Sequence, residues 1–316
     1  MKTEILPAED PSTLRRAATA LREGEPVALP TETVYGLAAN ALDARACARI
    51  FEAKERPLSD PLIVHLPGLE WLERVAVANA TAIRLAGIFW PGPLTLVLPR
   101  QPIIPDIVTA GQETVAVRLS AHPVFRQIAL NTGTPLAAPS ANRFGRISPT
   151  TAEHVRAELD GRIGLIVDGG PCAHGIESTI VLVADDGLRI LRPGPISAED
   201  LAAVAPLHGA EAADDVVVPG SLKSHYAPRT PLDIESEPAP HPKDGLLAWS
   251  PVALAGFGAV EVLSATGDPR EVAANLYAAM RRLDAAGLRR IVALPGPETG
   301  LGAAIMERLR KAAARG

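Results

Sequence analysis

Three cations stand where a polyphosphate could be neutralised. Lys54 and Arg56 sit two residues apart at the end of an amphipathic stretch, and Arg192 closes an apolar run. A fourth, Arg118, follows Thr114 to Val117 and carries the planar fork that grips a small carboxylate bidentately. Hydroxyl, amide and imidazole groups recur at similar places. Thr31 and Thr33 follow Val27 to Leu29, His65 ends Leu62 to Val64, Ser140 and Asn142 follow Leu136 to Ala138, and Ser178 and Thr179 open an apolar run. Strand ends are where α/β sheets place ligand groups, so if these ends face the same way they line one cleft. No strong nucleophile–base pair is evident, which suits transfer between bound substrates by positioning and charge stabilisation rather than covalent catalysis. Singly, each residue has an ordinary structural role. Thr33 would be a turn residue, His65 a core histidine, Arg118 and Arg192 solvated or salt-bridged cations, Lys54 and Arg56 complements to a helix C-terminus, and Ser148 an N-cap. Only the combination points to a site.

The elements that must hold these groups alternate. Ser12 to Glu23 puts Leu14, Ala17, Ala18 and Leu21 on one helical stripe ending at Gly24, and Asp43 caps a second helix carrying Ala46, Ile50 and Ala53. Strands are expected at Val27 to Leu29, Leu62 to His65, Leu94 to Leu98, Thr114 to Leu119, Leu136 to Ala138 and Ile163 to Val167. Helices are expected near Asn79 to Ile88 and Pro123 to Leu130. Ser148 followed by Pro149 predicts an N-cap and a helix through Leu159. Ser178 to Val183 and Leu188 to Leu191 flank Asp185-Asp186-Gly187 as a hairpin, and Ser197 with Asp200 has capping-box spacing. From Pro206 to Pro231 the regular pattern fails, and the polar, proline-bounded Pro219 to Pro228 is expected to act as a lid. Beyond it, strands at Leu246 to Trp249, Val260 to Leu263 and Arg290 to Leu294 alternate with helices at Pro269 to Ala286 and Leu301 to Ala314. The expected organisation is a domain over 1–205, a linker and lid over 206–231, and a smaller α/β domain over 232–316.

Composition narrows the function. The 316 residues are 47% hydrophobic and 21% charged, enough for a core in each of two domains. A net charge of -5 argues against non-specific nucleic-acid binding, and five Phe, three Tyr and three Trp are little material for a base-stacking platform. Thirty prolines cluster at the ends of apolar runs and read as rigid loops. Cys47 and Cys172 form no CxxC pair, the seven histidines show no zinc spacing, and GxxxxGK[ST] and GxSxG are missing. Gly300-Leu301-Gly302 reads as a strand-to-helix turn. An acidic N-terminus without an apolar stretch and the Gly- and Pro-broken run Leu85 to Pro99 give neither a secretory signal nor a membrane span, so cytoplasm is expected.

Eight words in order across residues 30–194 resemble the threonylcarbamoyl-adenylate synthase family. They are Pro30-Thr31-Glu32-Thr33-Val34-Tyr35-Gly36-Leu37, Lys54-x-Arg56-Pro57 with Pro61 to His65, Trp90-Pro91-Gly92-Pro93-Leu94-Thr95, Val115-Ala116-Val117-Arg118, Ala138-Pro139-Ser140-Ala141-Asn142 through Ser148-Pro149-Thr150, Asp168-Gly169-Gly170, Gly175-x-Glu177-Ser178-Thr179 and Leu191-Arg192-Pro193-Gly194. His225-Tyr226-Ala227-Pro228 followed by an α/β unit is similar to the two-domain form. The resemblance implies a YrdC-like twisted mixed-sheet α/β domain with an open cavity, followed by a smaller Rossmann-like α/β domain. It implies a nucleotidyltransferase that joins L-threonine, bicarbonate or CO2, and ATP into threonylcarbamoyl-AMP and pyrophosphate. That product serves t6A modification at position 37 of tRNAs reading ANN codons, so tRNA is an indirect partner and a downstream t6A transferase complex a possible direct one.

Carried over by motif position, the family pattern places threonine on Thr33, His65, Arg118, the backbone at Ala138, and Ser178. ATP falls to Lys54, Arg56, Asp60, Thr114, Ser140, Asn142, Ser148, Arg192 and Tyr226, with Lys54 and Arg56 catalytic. Mg2+ would arrive on the ATP phosphates without a protein metal site. Two positions depart from the pattern: asparagine is common at Asp60, and a small residue at Phe144, so the loop from Arg143 to Arg146 is expected to differ. One methyl group is worth about 1–3 kcal/mol in a pocket, so some use of serine is expected. The alternatives are an RNA-binding module and a carbamoyl transferase built on a related domain. The second usually carries further domains and CxxC pairs that are not visible here.

Overall fold

Three of the longer helices, at Pro11–Arg22, Ala44–Lys54 and Pro269–Ala285, begin where a carboxylate can take their free N–H groups. Asp10 accepts from Ser12, Asp43 from Arg45 and Ala46, and Asp268 from Arg270 and Glu271. A computed structural model describes residues 2–209, 216–222 and 224–314. The first half runs β1 (Glu4–Pro7), α1 (Pro11–Arg22), β2 (Val27–Leu29), β3 (Gly36–Asn40), α2 (Ala44–Lys54), β4 (Ile63–His65), α3 (Leu72–Val75), α4 (Ala80–Phe89), β5 (Leu94–Pro99), α5 (Asp106–Thr109), β6 (Thr114–Arg118) and α6 (Pro123–Thr132). It continues through β7 (Leu136–Ala137), α7 (Ala152–Leu159), β8 (Leu165–Asp168), β9 (Thr179–Ala184), β10 (Gly187–Arg192), α8 (Ala198–Ala202) and β11 (Leu207–His208). After the connecting segment come β12 (Leu232–Ile234), β13 (Asp244–Ala248), β14 (Ala259–Val262), α9 (Pro269–Ala285), β15 (Arg290–Ala293) and α10 (Leu301–Ala313).

Among the described residues, eleven strands form one mixed sheet in the order β1-β8-β2-β3-β7-β4-β6-β5-β9-β10-β11. Four form a second, wholly parallel sheet, β12-β15-β13-β14. The expected α/β class, with a large mixed sheet and a smaller second unit, is what the chain adopts. The Asp185-Asp186-Gly187 hairpin and the Ser197–Asp200 capping box are present. Cys47 and Cys172 are free and buried, and no helix among the described residues is long and apolar enough to cross a membrane.

Three expectations need correction. Ser148 does not cap a helix: Thr151 does, accepting the His154 N–H at 3.3 Å, and α7 starts at Ala152. The Ser148 hydroxyl instead donates to the Glu177 carboxylate at 2.5 Å, a charge-assisted bond that a neutral cap does not match. Gly36–Asn40, where no strand is expected from the sequence, is a strand, because pairing with β2 and β7 overrides its weak, Ala-rich strand preference. Leu207–His208, inside the expected linker, pairs parallel with β10. Residues 210–215 and Lys223 of that linker lie outside the described residues.

The hydrophobic core around the second sheet is not confined to it. Leu276, Tyr277 and Met280 of α9 and Ile305 and Leu309 of α10 pack with Val34, Ile147 and Ile176 from the first half and with Tyr226 of the connecting segment. Gly175 makes the approach possible: its φ is +70°, and a Cβ there would lie 2.3 Å from the Ala273 carbonyl oxygen of α9.

Candidate active site

Strand register brings the first groups together. β4 and β6 run parallel with His65 opposite Arg118, and Ser140 bridges to Gly36 at the start of β3. Ser178 immediately precedes β9, and β10 returns antiparallel so that Arg192 ends beside it, displaced by a register shift between Ile190 and Arg192. The strand ends therefore face one cavity, narrow as it stands, with an interior volume of about 40 Å³. Thr33, His65, Arg118, Ala138 and Ser178 line it, as do Arg56, Ser140, Arg192 and Tyr226. Lys54, Asp60, Asn142 and Ser148 stand behind that lining, and Thr114 starts β6, four residues before Arg118, at the far end of the strand.

Each lining group is held by identifiable partners. In the turn after β2, the Thr31 hydroxyl donates to the Val34 carbonyl at 2.6 Å and accepts the N–H groups of Thr33 and Val34, so Thr31 shapes the turn. Thr33 is left to accept from Arg118 Nη2 at 3.1 Å. Arg118 also donates Nε to the Gly92 carbonyl at 3.2 Å and pairs with Glu32 at 2.7 Å. Burial pushes the Glu32 carboxyl up, but Arg118 and the Ser120 hydroxyl outweigh it and hold it at about 2. Burial, aided by Arg118, lowers His65 to about 3, so its ring is neutral at pH 7 and its buried Nδ1 has no hydrogen-bond partner.

The left-handed turn at Glu55, φ 54°, lets both Lys54 and Arg56 point inward from the end of α2. Lys54 Nζ donates to the Ser140 carbonyl at 2.6 Å and to that of Asn142. Burial, with Arg56 nearby, lowers the Lys54 ammonium well below the usual lysine range. Arg56 pairs with Asp60 at 2.9 Å and donates to the Asp60 and Pro61 carbonyls. Burial raises the Asp60 carboxyl despite Arg56, and its Oδ2 has no hydrogen-bond partner. Asn142 pins the following loop by donating to the Arg143 and Arg146 carbonyls. Within that loop Phe144 meets His225 edge-on at 6.1 Å, so the large side chain at this position packs against the lid.

Pro219, Gly220, His225 and Tyr226, from the segment expected to act as a lid, stand in the cavity wall. Arg192 donates to the Pro219 carbonyl at 2.9 Å and to the Ser178 carbonyl and hydroxyl. Tyr226 adopts φ +61° and stacks on Tyr277, and its buried hydroxyl has no hydrogen-bond partner. Sequence reasoning passed over Glu32 and Glu177, although each adjoins a residue it singled out. It had no signal for Arg308 or Tyr277, which reach Glu177 from helices more than 90 residues away.

Fold and site together define a two-sheet α/β protein with an arginine-lined cavity to whose wall the segment between the two sheets contributes. Residues 19–194 match the family model described as Telomere recombination (Sua5, YciO, YrdC), and residues 196–314 match that described as Threonylcarbamoyl-AMP synthase, C-terminal domain. The chain belongs to the threonylcarbamoyl-AMP synthase family. It is 43% identical to the Bacillus subtilis threonylcarbamoyl-AMP synthase across 98% of this chain and 95% of that protein, and 41% identical to the Pyrococcus abyssi one across 95% and 93%. The structure of P. abyssi Sua5 complexed with L-threonine superposes with a TM-score of 0.89 at 37% identity, covering 98% of each chain. A full-length HypF structure, 20% identical over 58% of this chain with a TM-score of 0.52, shares the fold alone.

Proposed function

We propose that this chain is a nucleotidyltransferase that converts L-threonine, bicarbonate or CO2, and ATP into threonylcarbamoyl-AMP and pyrophosphate. The observation that carries this reading is the convergence of Arg118, Thr33, His65 and Ser178 with Arg56 and Arg192 in one cavity, in a chain of this family. The P. abyssi relative, similar over its whole length, has been crystallised with L-threonine. Threonine's carboxylate pairs with Arg118, whose three protein contacts go through Nε and Nη2 and leave Nη1 for a ligand. Thr33, the neutral His65 ring, the Ala138 backbone and Ser178 surround the rest of the amino acid.

The threonine amine adds to CO2, forming a carbamate and releasing a proton. A carbamate oxygen then attacks the α-phosphorus in line, and the bond from that phosphorus to the bridging oxygen breaks as pyrophosphate leaves. Arg56 and Arg192 take up charge on the phosphates, with Lys54, Asp60, Ser140, Asn142, Ser148, Thr114 and Tyr226 completing the ATP side. Lys54 reaches a phosphate by exchanging the Ser140 and Asn142 carbonyls for it. Mg2+ would be held mainly by the ATP phosphates. The free Oδ2 of Asp60 is the carboxylate oxygen beside Arg56 available to it. Bound there, Mg2+ would supply Lewis-acid neutralisation of the phosphate charge. The product supplies t6A modification at position 37 of tRNAs reading ANN codons, in the cytoplasm.

Pyrophosphate release from Mg-ATP, with L-threonine or bicarbonate omitted in turn and the product weighed by mass spectrometry, tests this. Release that requires both, with a threonylcarbamoyl-AMP mass, is expected. Release without threonine rejects the reading.

A further inference from the structure

The wall of the cavity carries a carboxylate whose counter-charge comes from the second sheet's helix. Glu177 lines the cavity, accepting the Ser148 hydroxyl at 2.5 Å on Oε1 and the Tyr277 hydroxyl at 2.9 Å on Oε2. Arg308 of α10, 1% exposed, adds Nε to the same Oε2 at 2.8 Å, while its Nη2 donates to the Pro193 carbonyl at 3.0 Å and its Nη1 bonds Glu307. Arg308 does not line the cavity itself. Arg192 is the second cation near Glu177, and every bond it makes goes to Ser178 or the Pro219 carbonyl, none to that carboxylate. Both guanidinium groups thus have Glu177 within electrostatic reach, and the one outside the cavity has taken it, while Arg192 also lies in reach of Asp60, which Arg56 already pairs.

We propose that Arg308 is a positioning residue for the nucleotide side of the cavity: by occupying Glu177 it keeps that carboxylate from pairing with Arg192, whose charge then remains for the polyphosphate. This rests on the assignment of Arg192 to ATP. Without Arg308, Glu177 is an uncompensated buried charge, and Arg192 is the other cation acting on it, placed to be captured. The same guanidinium lies 5.1 Å from the Tyr226 ring, and Tyr226 stacks on Tyr277 at 5.8 Å, so one contact set bears on both the lid and the phosphate cation.

The test is the affinity of the full chain for Mg-ATP and for L-threonine, by equilibrium dialysis, in the unmodified chain, Arg308→Met, Glu177→Gln and the double variant. Arg308→Met is expected to weaken ATP tenfold or more while threonine stays within threefold. Glu177→Gln keeps an acceptor but removes the charge, so with it in place residue 308 becomes indifferent and the double variant binds ATP within threefold of Glu177→Gln alone. Unchanged ATP binding in Arg308→Met, or a tenfold gap between Glu177→Gln and the double variant, overturns the proposal. The second comparison decides if Arg308→Met does not fold. ATP binding by the unmodified chain without product formation removes the proposed reaction and leaves this inference standing, whereas no ATP binding removes both.

Discussion

Arg308 Nε lies 2.8 Å from Glu177 Oε2, with both side chains buried and 131 positions apart in the chain. A helix of the smaller sheet therefore supplies the counter-charge for a carboxylate in the wall of the cavity formed by the larger one. Removing one partner of such a pair leaves the other charge stranded, which costs about 3–5 kcal/mol. Glu177→Ala is expected to lose that much in urea denaturation at pH 7.

The same pair makes stability depend on pH. Burial pushes Glu177 up, but Arg308, Arg192 and the Ser148 hydroxyl hold it at about 2 in the folded chain, against 4.5 for a free glutamate. Its contribution is present above pH 4.5 and is lost as the pH falls from there toward 2. The stability gap between the unmodified chain and Glu177→Gln should narrow over that window and stay flat from pH 5 to 8. A gap that instead widens on acidification would reverse the assignment of charge.

Threonine binding should be insensitive to the groups around Arg118 between pH 5 and 8. Glu32, held at about 2, stays ionised across that range, and His65, at about 3, stays neutral. Arg118→Lys keeps the charge but loses the fork that contacts Gly92, Thr33 and Glu32 at once. Calorimetric titration with L-threonine is expected to show affinity reduced by roughly 30-fold or more, as for truncation of a buried charge pair.

Lys54→Ala and Arg56→Ala should lower turnover more than they lower threonine affinity. Both cations are assigned to charge that develops on the phosphates, and interactions made only in the transition state appear in kcat. Steady-state kinetics with threonine and ATP varied separately will separate the two effects, and unchanged turnover in both variants removes the assignment.

Tyr226→Phe probes the lid. The hydroxyl is buried and without a hydrogen-bond partner, so deleting it leaves no protein group unpaired. Thermal unfolding without ligand should therefore be unchanged or slightly later, while ATP affinity falls about tenfold, as for the loss of a good hydrogen bond. Earlier unfolding with normal ATP affinity would make the hydroxyl structural.

Gly175→Ala should uncouple the second sheet from the cavity. The new Cβ meets the Ala273 carbonyl oxygen at 2.3 Å and the Ala274 Cα at 2.5 Å, on a backbone already at φ +70°. Gly133→Ala, at φ +78° with nothing within 4 Å, isolates the backbone strain of about 1–2 kcal/mol. Urea denaturation should show Gly175→Ala losing clearly more than Gly133→Ala.

Much of this was legible from sequence because it is local. Asp43 and Asp268 cap the helices they precede, Asp185-Asp186-Gly187 turns the hairpin, and the alternation of apolar runs with capped helices marks an α/β chain. The words from Pro30 to Gly194 placed it among threonylcarbamoyl-AMP synthases, and nine of the fourteen singled-out residues line the cavity, since strand ends in one sheet face one way. What could not be read locally was which partner a polar group would choose. Ser148 has the sequence of a cap, yet its hydroxyl goes to Glu177. Gly36–Asn40 is too rich in Ala to announce a strand, yet two neighbouring strands recruit it. Arg308 looks like one more cation on a basic helix until α10 packs and buries it against Glu177. Caps and periodicities are set by neighbours within a few residues. Buried charges find partners only after the chain has closed, because desolvation penalises every arrangement that leaves one unpaired.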